Sequence, residues 1–176
     1  MASHIVSPAA SIVRRFRLAA ITALLALCLP AWAAELPFAQ PRPQLYTAGQ
    51  PSAAQLQQAA AAGVTTLIDL RQPDEARGFD ETAATERLGL RYVRIPIAGA
   101  AGLTDANAQA LRTALAQSQG PVLLHCASGN RAGALLALLE ARNGASVDEA
   151  LTLGRAAGMT SLEAPTRVLL EQDATR

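Results

Sequence analysis

The sequence contains no lysine, only two cysteines, and no apolar run long enough to cross a membrane as a helix. Its 15 basic residues are all arginines and are almost balanced by 14 acidic residues, so no basic excess indicates nucleic-acid binding. The apolar run at 18–29 falls short of the roughly 20 residues that a spanning helix needs. A chain of 176 residues, 51% of them hydrophobic, instead has the size and composition of one globular domain.

The first 33 residues have the pattern of a secretory signal. A basic segment, "RRFR" at 14–17, precedes the apolar run, and "AWA" at 31–33 provides a small-residue cleavage site. We therefore expect residues 1–33 to be a signal peptide and 34–176 a single periplasmic or secreted domain, with no stable membrane insertion after cleavage. Cleavage would leave 12 arginines against 14 acidic residues.

Cleavage would also remove Cys28, so that Cys126 could form no disulfide within the exported domain. The segment "PVLLHC" at 121–126 predicts a buried strand, and "RAGALLALLEARNG" at 131–144 predicts a helix. Cys126 therefore ends a strand, and "ASGN" forms the turn into the helix. Free cysteines are often small core residues, but this position favours a reactive thiol.

The turn has the composition of an anion-binding site. Its small residues allow backbone N–H groups to converge, and the helix N-terminus and Arg131 add positive potential that favours a thiolate. We expect a small anionic substrate, phosphorylated or sulfur-containing, to bind to the amides of the residues between Cys126 and Arg131. These are Ala127, Ser128, Gly129 and Asn130.

Strand patterns at 64–71, 90–97 and 121–126 alternate with helical patterns, and 43–49 is a possible edge strand. This order predicts an α/β fold in which a mostly parallel central sheet is flanked by helices on both faces. Ser52 and Ser146 each begin a capping box with Gln55 and Glu149.

Asp105 follows a flexible Gly-Ala segment that leaves the 90–97 strand, so it is a candidate general acid for protonating a leaving group. The competing interpretation is that Thr104 or Asp105 caps the next helix. Other acids near the same sheet edge are Asp69, Asp74 and Glu75.

Two further residues are expected to support the site. His125 faces away from Cys126 by strand alternation, which favours a buried hydrogen-bonding role over that of a general base. Arg71 could add positive field or pair with the neighbouring carboxylates, most often at the surface. No residue cluster has metal-ligand spacing, and we expect neither a metal nor a cofactor.

Three segments resemble, in order and spacing, the bacterial beta-lactamase-hydrolase-like phosphatase domain, a relative of the dual-specificity cysteine phosphatases. They are "AGQPSAAQLQQAAAAGVTTLIDLR", "LGLRYVRIPI" and "PVLLHCASGNRAG", and the resemblance covers about residues 40–145. It implies a cysteine-phosphatase-like fold, with Cys126 as nucleophile and Arg131 as oxyanion clamp.

Two features depart from the tyrosine and dual-specificity phosphatase pattern. Four residues rather than five separate Cys126 from Arg131, and Ala132 replaces a serine or threonine. The shorter loop resembles that of rhodanese sulfurtransferases, in which the cysteine carries a persulfide. The helix pattern at 79–90 and the segment after the loop helix favour the phosphatase-like scaffold. A rhodanese-like sulfurtransferase and a non-catalytic oxyanion-binding or redox-sensing domain remain alternatives.

Overall fold

The computed structural model describes residues 36–174, so the predicted signal peptide lies outside the described residues. Within that range, no helix is both long and apolar enough to span a bilayer. The strands are β1 (Ala39–Arg42), β2 (Leu45–Ala48), β3 (Thr66–Asp69), β4 (Arg91–Arg94) and β5 (Val122–His125). The helices are α1 (Ala53–Ala61), α2 (Glu81–Arg87), α3 (Asp105–Ala116), α4 (Asn130–Arg142), α5 (Val147–Ala156) and α6 (Glu163–Ala174).

The five strands form one sheet in the order β1-β2-β5-β3-β4. Only the β1–β2 pair is antiparallel, while β2, β3, β4 and β5 pair in parallel. The predicted α/β fold with a mostly parallel sheet is therefore confirmed. The expectation that 43–49 lies at the sheet edge is wrong, because β1 pairs with the outer side of β2.

Alternate side chains of the central strands pack on opposite faces of the sheet. Ile68 and Leu124 belong to a core cluster with residues of α3, α4, α5 and α6. Leu67 and Leu123 belong to a second cluster with α1 and α2. Helices thus cover both faces, and the carboxyl ends of β2, β5 and β3 lie side by side at one edge.

Local sequence signals set several of the helix starts. Both predicted capping boxes are formed, at the N-termini of α1 and α5. Thr104 caps α3 by accepting a hydrogen bond from the Asn107 amide. The segment before it, predicted to be flexible, forms a 3₁₀ turn at Gly99–Gly102.

Helices α4 and α5 approach each other very closely near the start of α4. A Cβ atom on Gly133 would lie 2.4 Å from the Gly154 carbonyl oxygen and 2.5 Å from the Met159 amide nitrogen. Such distances leave no room for any side chain at Gly133. The contact fixes the first turn of α4, and with it the end of the Cys126–Arg131 segment.

Candidate active site

The segment Cys126–Arg131, called the thiol loop below, joins the end of β5 to the start of α4. The chain beyond β2 runs beside it, and the Gln50 amide donates to the Ala127 carbonyl oxygen at 3.1 Å. A Cβ atom on Gly49 would lie 3.0 Å from that same oxygen. The loop is therefore anchored along one side by the neighbouring strand.

The Cys126 thiol lies at the base of this loop and is 1% exposed. The Gly129 amide donates a hydrogen bond to Cys126 Sγ at 3.1 Å. Gly129 adopts a left-handed conformation, with φ of 90°, and no side chain caps α4. The first-turn amides of α4 consequently have no intrahelical acceptor. They are available, with the helix dipole, to an anion bound above the sulfur.

Arg131 is held by a carboxylate from the loop after β3. Its Nη2 donates to Glu75 Oε2 at 2.6 Å and its Nη1 to Glu75 Oε1 at 2.5 Å. Nη1 also donates to the Ile97 carbonyl oxygen at 3.1 Å. The Cys126 side chain also lies near enough to the guanidinium to contribute to the raised pKa of Arg131. Glu75 thus fixes the orientation of the guanidinium, which lies beside the Cys126 thiol.

The Glu75–Arg131 pair changes the acidity of both groups. Hydrogen bonding from Arg131 lowers the pKa of Glu75 to about 2, and the same bond raises the pKa of Arg131. The surrounding loop is held by Arg77, whose guanidinium donates to the carbonyl oxygens of Pro73, Glu75 and Gln72. Glu75 is therefore a fixed anion at neutral pH.

The structure does not bring Asp105 to the thiol loop. Asp105 is the first residue of α3, its side chain is 76% exposed, and its Oδ1 accepts from Arg142 Nε at 2.6 Å. Thr104, rather than Asp105, caps the helix. A role for Asp105 as general acid remains a prediction. Glu75, named from the sequence only as an alternative acid, is the ion-pair partner of Arg131.

His125 and Arg71 belong to a buried polar network beneath the loop. Arg71 is fully buried, and its Nε and Nη2 donate to the Asp69 carboxylate at 2.8 and 2.9 Å. Nη2 also donates to Glu81, while the Tyr92 hydroxyl donates to Asp69 at 2.7 Å. Burial acts to raise the pKa of Asp69, but the Arg71 hydrogen bonds outweigh it and hold that pKa far below its usual range. The expectation of surface pairing for Arg71 is wrong.

His125 is fully buried, as strand alternation predicts. Its Nδ1 lies 3.3 Å from the Cys126 carbonyl oxygen, and its Nε2 lies 3.5 Å from Glu81 Oε2. Ligand atoms of Asp69, Glu81 and His125 are near enough to one another to share a metal ion. The Arg71 guanidinium already binds the Asp69 and Glu81 carboxylates. It therefore provides the positive charge that a metal ion would bring to this cluster.

Asn130 has a contact that no local sequence signal predicts. Its side-chain oxygen accepts from the Thr160 amide at 2.8 Å and from the Leu162 amide at 3.2 Å. Its side-chain nitrogen donates to Ser161 Oγ at 2.7 Å. Asn130 therefore connects the thiol loop to the segment that precedes α6.

A pocket of about 270 Å³ adjoins the thiol loop at Ser128 and Gly129. Phe38 and Pro51 are among its lining residues, as is Thr47, whose buried hydroxyl has no hydrogen-bond partner among residues 36–174. The described residues that line the pocket are apolar or hydrogen-bonding, and none of them is charged.

Known proteins match both the sequence and the fold. A beta-lactamase hydrolase-like protein of Xylella fastidiosa (strain Temecula1) is 38% identical over 120 residues, which cover 65% of this chain and 28% of that relative. The chain thus spans less than a third of that relative's length.

Solved structures share the fold, among them the following two. A candidate phosphatase of Neisseria meningitidis z2491 superposes with a TM-score of 0.66 and 26% identity, covering 77% of this chain and 96% of that one. A variant of P. aeruginosa TpbA in complex with phosphotyrosine superposes with a TM-score of 0.56 and 20% identity, covering 78% and 88%.

The model of the beta-lactamase hydrolase-like protein, phosphatase-like domain, matches residues 38–143. This match spans the strands of the sheet and the thiol loop, and it agrees with the resemblance carried by the sequence motifs. The chain belongs to this family of phosphatase-like domains.

Proposed function

We propose that this protein is a cysteine-dependent hydrolase of phosphoric esters, with Cys126 as its nucleophile. The observation that carries the proposal is that a thiol, backbone amides and an arginine lie together after the carboxyl end of β5. The thiol accepts from the Gly129 amide, the first α4 amides have no side-chain cap, and Glu75 holds the Arg131 guanidinium beside the thiol. These groups match a tetrahedral oxyanion in shape and charge.

The reaction takes place in two displacements at phosphorus. The Cys126 thiolate attacks the phosphoryl group, an S–P bond forms, and the P–O bond to the leaving group breaks with its electron pair on oxygen. Arg131 and the amides of Ala127, Ser128, Gly129 and Asn130 bind the equatorial oxygens. Water then attacks phosphorus, the S–P bond breaks, phosphate leaves, and the thiolate is restored.

The substrate is proposed to be a small phosphorylated molecule or side chain. The phosphotyrosine complex of a protein with the same fold supports an anionic ester as ligand. The organic part of the substrate would lie in the pocket beside Ser128 and Gly129, where Phe38 offers apolar contact and Thr47 a free hydroxyl. His125 and Arg71 act only through the buried network that supports the loop.

A sulfurtransferase is the second candidate, since the thiol loop has only four residues between Cys126 and Arg131. A shorter loop offers one fewer amide to a phosphoryl group, and loss of one such donor commonly costs about a hundredfold or more in rate. In this alternative, Cys126 would carry a persulfide.

One side-by-side assay tests the two chemistries. The purified protein is given p-nitrophenyl phosphate in one reaction and thiosulfate with cyanide in the other. We expect release of nitrophenol and phosphate that depends on Cys126. Thiocyanate formation with a trapped Cys126 persulfide, and no hydrolysis of the aryl phosphate, would replace the proposed function with sulfur transfer.

We further propose that the protein is exported to the periplasm or secreted, on the basis of the basic, apolar and small-residue succession at 14–33. Mass spectrometry of the protein recovered from the periplasm or medium of a bacterial host is expected to give an N-terminus near Ala34. Uncleaved protein confined to the cytoplasm would contradict this.

A further inference from the structure

A proton donor for the leaving group has to approach the thiol loop from its solvent side. The thiol is 1% exposed at the base of the loop, and in-line displacement at phosphorus places the leaving oxygen opposite the attacking sulfur. The leaving oxygen therefore faces outward, toward the rim of the site. Asp69 and Glu81 are buried beneath the loop, where they bind Arg71. Neither of them is placed to reach that oxygen.

The chain that follows β3 forms part of this rim. Strands β3 and β5 pair in parallel and end in register, so the segments beyond them leave the sheet side by side. The Arg131 guanidinium donates to the Leu70 carbonyl oxygen at 3.5 Å and binds the Glu75 carboxylate. Residues 70–75 therefore extend alongside the thiol loop.

Four of these residues, Gln72, Pro73, Asp74 and Glu75, form a tight turn. The Glu75 amide donates to the Gln72 carbonyl oxygen at 3.2 Å, and the Gln72 amide donates to Glu75 Oε1 at 2.7 Å. Proline suits the second position of such a turn. The Arg77 guanidinium also donates to three of the turn's carbonyl oxygens. The turn is therefore held in a fixed shape.

The two acidic side chains of this turn differ in what they contact. Glu75 accepts from Arg131 through both carboxylate oxygens. With its pKa lowered to about 2, Glu75 has no proton to donate at neutral pH. Asp74 is exposed, and among residues 36–174 its carboxylate forms no hydrogen bond or ion pair. The turn thus holds one carboxyl group on the arginine and leaves its neighbour available to a ligand.

Asp105, the acid predicted from the sequence, is held far from the loop. Its partner Arg142 is eleven residues beyond Arg131 on α4, which is about 16 Å at 1.5 Å per residue. Bringing Asp105 to the thiol would break the Arg142 ion pair and the Thr104 cap together. No corresponding contact restrains the Asp74 side chain within residues 36–174.

We infer that Asp74 is the general acid of the reaction, an inference that rests on the proposed function. In the first displacement the Asp74 carboxyl group donates its proton to the leaving oxygen as the P–O bond breaks, so the alcohol or phenol departs neutral. In the second displacement the Asp74 carboxylate accepts a proton from the attacking water as the S–P bond breaks. Phosphate leaves, Asp74 regains its proton, and the Cys126 thiolate is restored.

The test compares two aryl esters at about pH 5.5, where a carboxylic acid retains part of its protons. p-Nitrophenolate leaves readily as an anion, whereas phenolate is more basic and depends on protonation. A general acid typically contributes a factor of about 10² to 10⁴. Asp74→Asn is therefore expected to lower kcat/KM for phenyl phosphate by about a hundredfold or more, and for p-nitrophenyl phosphate by less than about tenfold.

Asp148→Asn is the matched control, because it removes the same charge from an exposed aspartate on α5 that pairs with Arg167. Its kcat/KM is expected to be unchanged for both esters. Asparagine suits a turn as aspartate does, and circular dichroism with calorimetric binding of inorganic phosphate verifies that Asp74→Asn keeps the fold and the anion site. Asp74→Glu keeps a carboxyl group on the turn and is expected to retain more activity toward phenyl phosphate than Asp74→Asn.

Three kinetic results would overturn the inference while leaving the proposed function intact. They are an equal loss for both esters in Asp74→Asn, no loss for either ester in that variant, and a loss confined to phenyl phosphate in Asp105→Asn instead. If the unmodified protein hydrolyses neither ester and turns over thiosulfate, the proposed function fails and the inference with it.

Discussion

Cys126→Ser is expected to reduce turnover of p-nitrophenyl phosphate by at least about three orders of magnitude, as loss of a nucleophile does in other covalent catalysts. The serine hydroxyl stays protonated at neutral pH, so the S–P intermediate has no counterpart. The amides of the thiol loop and the Arg131 fork are untouched. Binding of inorganic phosphate, measured calorimetrically, is therefore expected to remain within a few-fold of the unmodified protein.

The other cysteine provides a matched control for this substitution. Cys28→Ser, made in the full-length chain expressed without cleavage, is the same change within the predicted signal peptide, and the turnover of that protein is expected to be unaffected. Substantial hydrolysis by Cys126→Ser would show that the thiol is not the nucleophile. Phosphate would then be attacked by another group or by water bound in the same loop.

Arg131→Lys is expected to lower kcat/KM for the same ester by about a hundredfold or more. An ammonium group keeps the charge but cannot present two parallel N–H groups to an oxyanion. It also cannot form the two hydrogen bonds that Arg131 donates to the Glu75 carboxylate. The lysine side chain would therefore lack the fixed orientation of the arginine. We expect kcat to fall and KM to rise.

Arg142→Lys makes the same exchange at the other end of α4, where the guanidinium pairs with Asp105 and Asp173. Its kcat/KM is expected to stay within a few-fold of the unmodified protein, and both variants are to be compared by thermal unfolding. Full activity in Arg131→Lys would mean that the site needs a positive charge there but no directed hydrogen bonds.

The position of the thiol could be predicted because the necessary signals are local. An apolar run ends at Cys126, small residues follow it, and helix formers begin at Arg131, so strand, turn and helix are read within a few residues. The capping boxes at Ser52 and Ser146 were predicted for the same reason. Parallel pairing then followed from the alternation of strands and helices.

The partners of the site could not be predicted in this way, since they depend on contacts between distant segments. Glu75 and Arg131 are 56 residues apart, and nothing around Glu75 distinguishes it from Asp74. Arg71 was expected near the surface. Instead, it donates a hydrogen bond to Glu81, ten residues later on α2, within a buried cluster of charged side chains. β1 was not predicted, because four residues that include Pro41 carry no clear strand pattern, although proline is compatible with the edge position that β1 occupies.

The Asn130 contact bears on where this domain ends. The family match stops at residue 143, but the Asn130 side chain, at the junction of the thiol loop and α4, bonds to the backbone of Thr160 and Leu162. Sequence similarity therefore marks a shorter unit than the one that shapes the anion site. A truncation after residue 143 would remove the Thr160 and Leu162 amides that bind the Asn130 side chain. It would also remove Met159, which packs closely against Gly133. The working unit of the domain includes the chain at least as far as the start of α6.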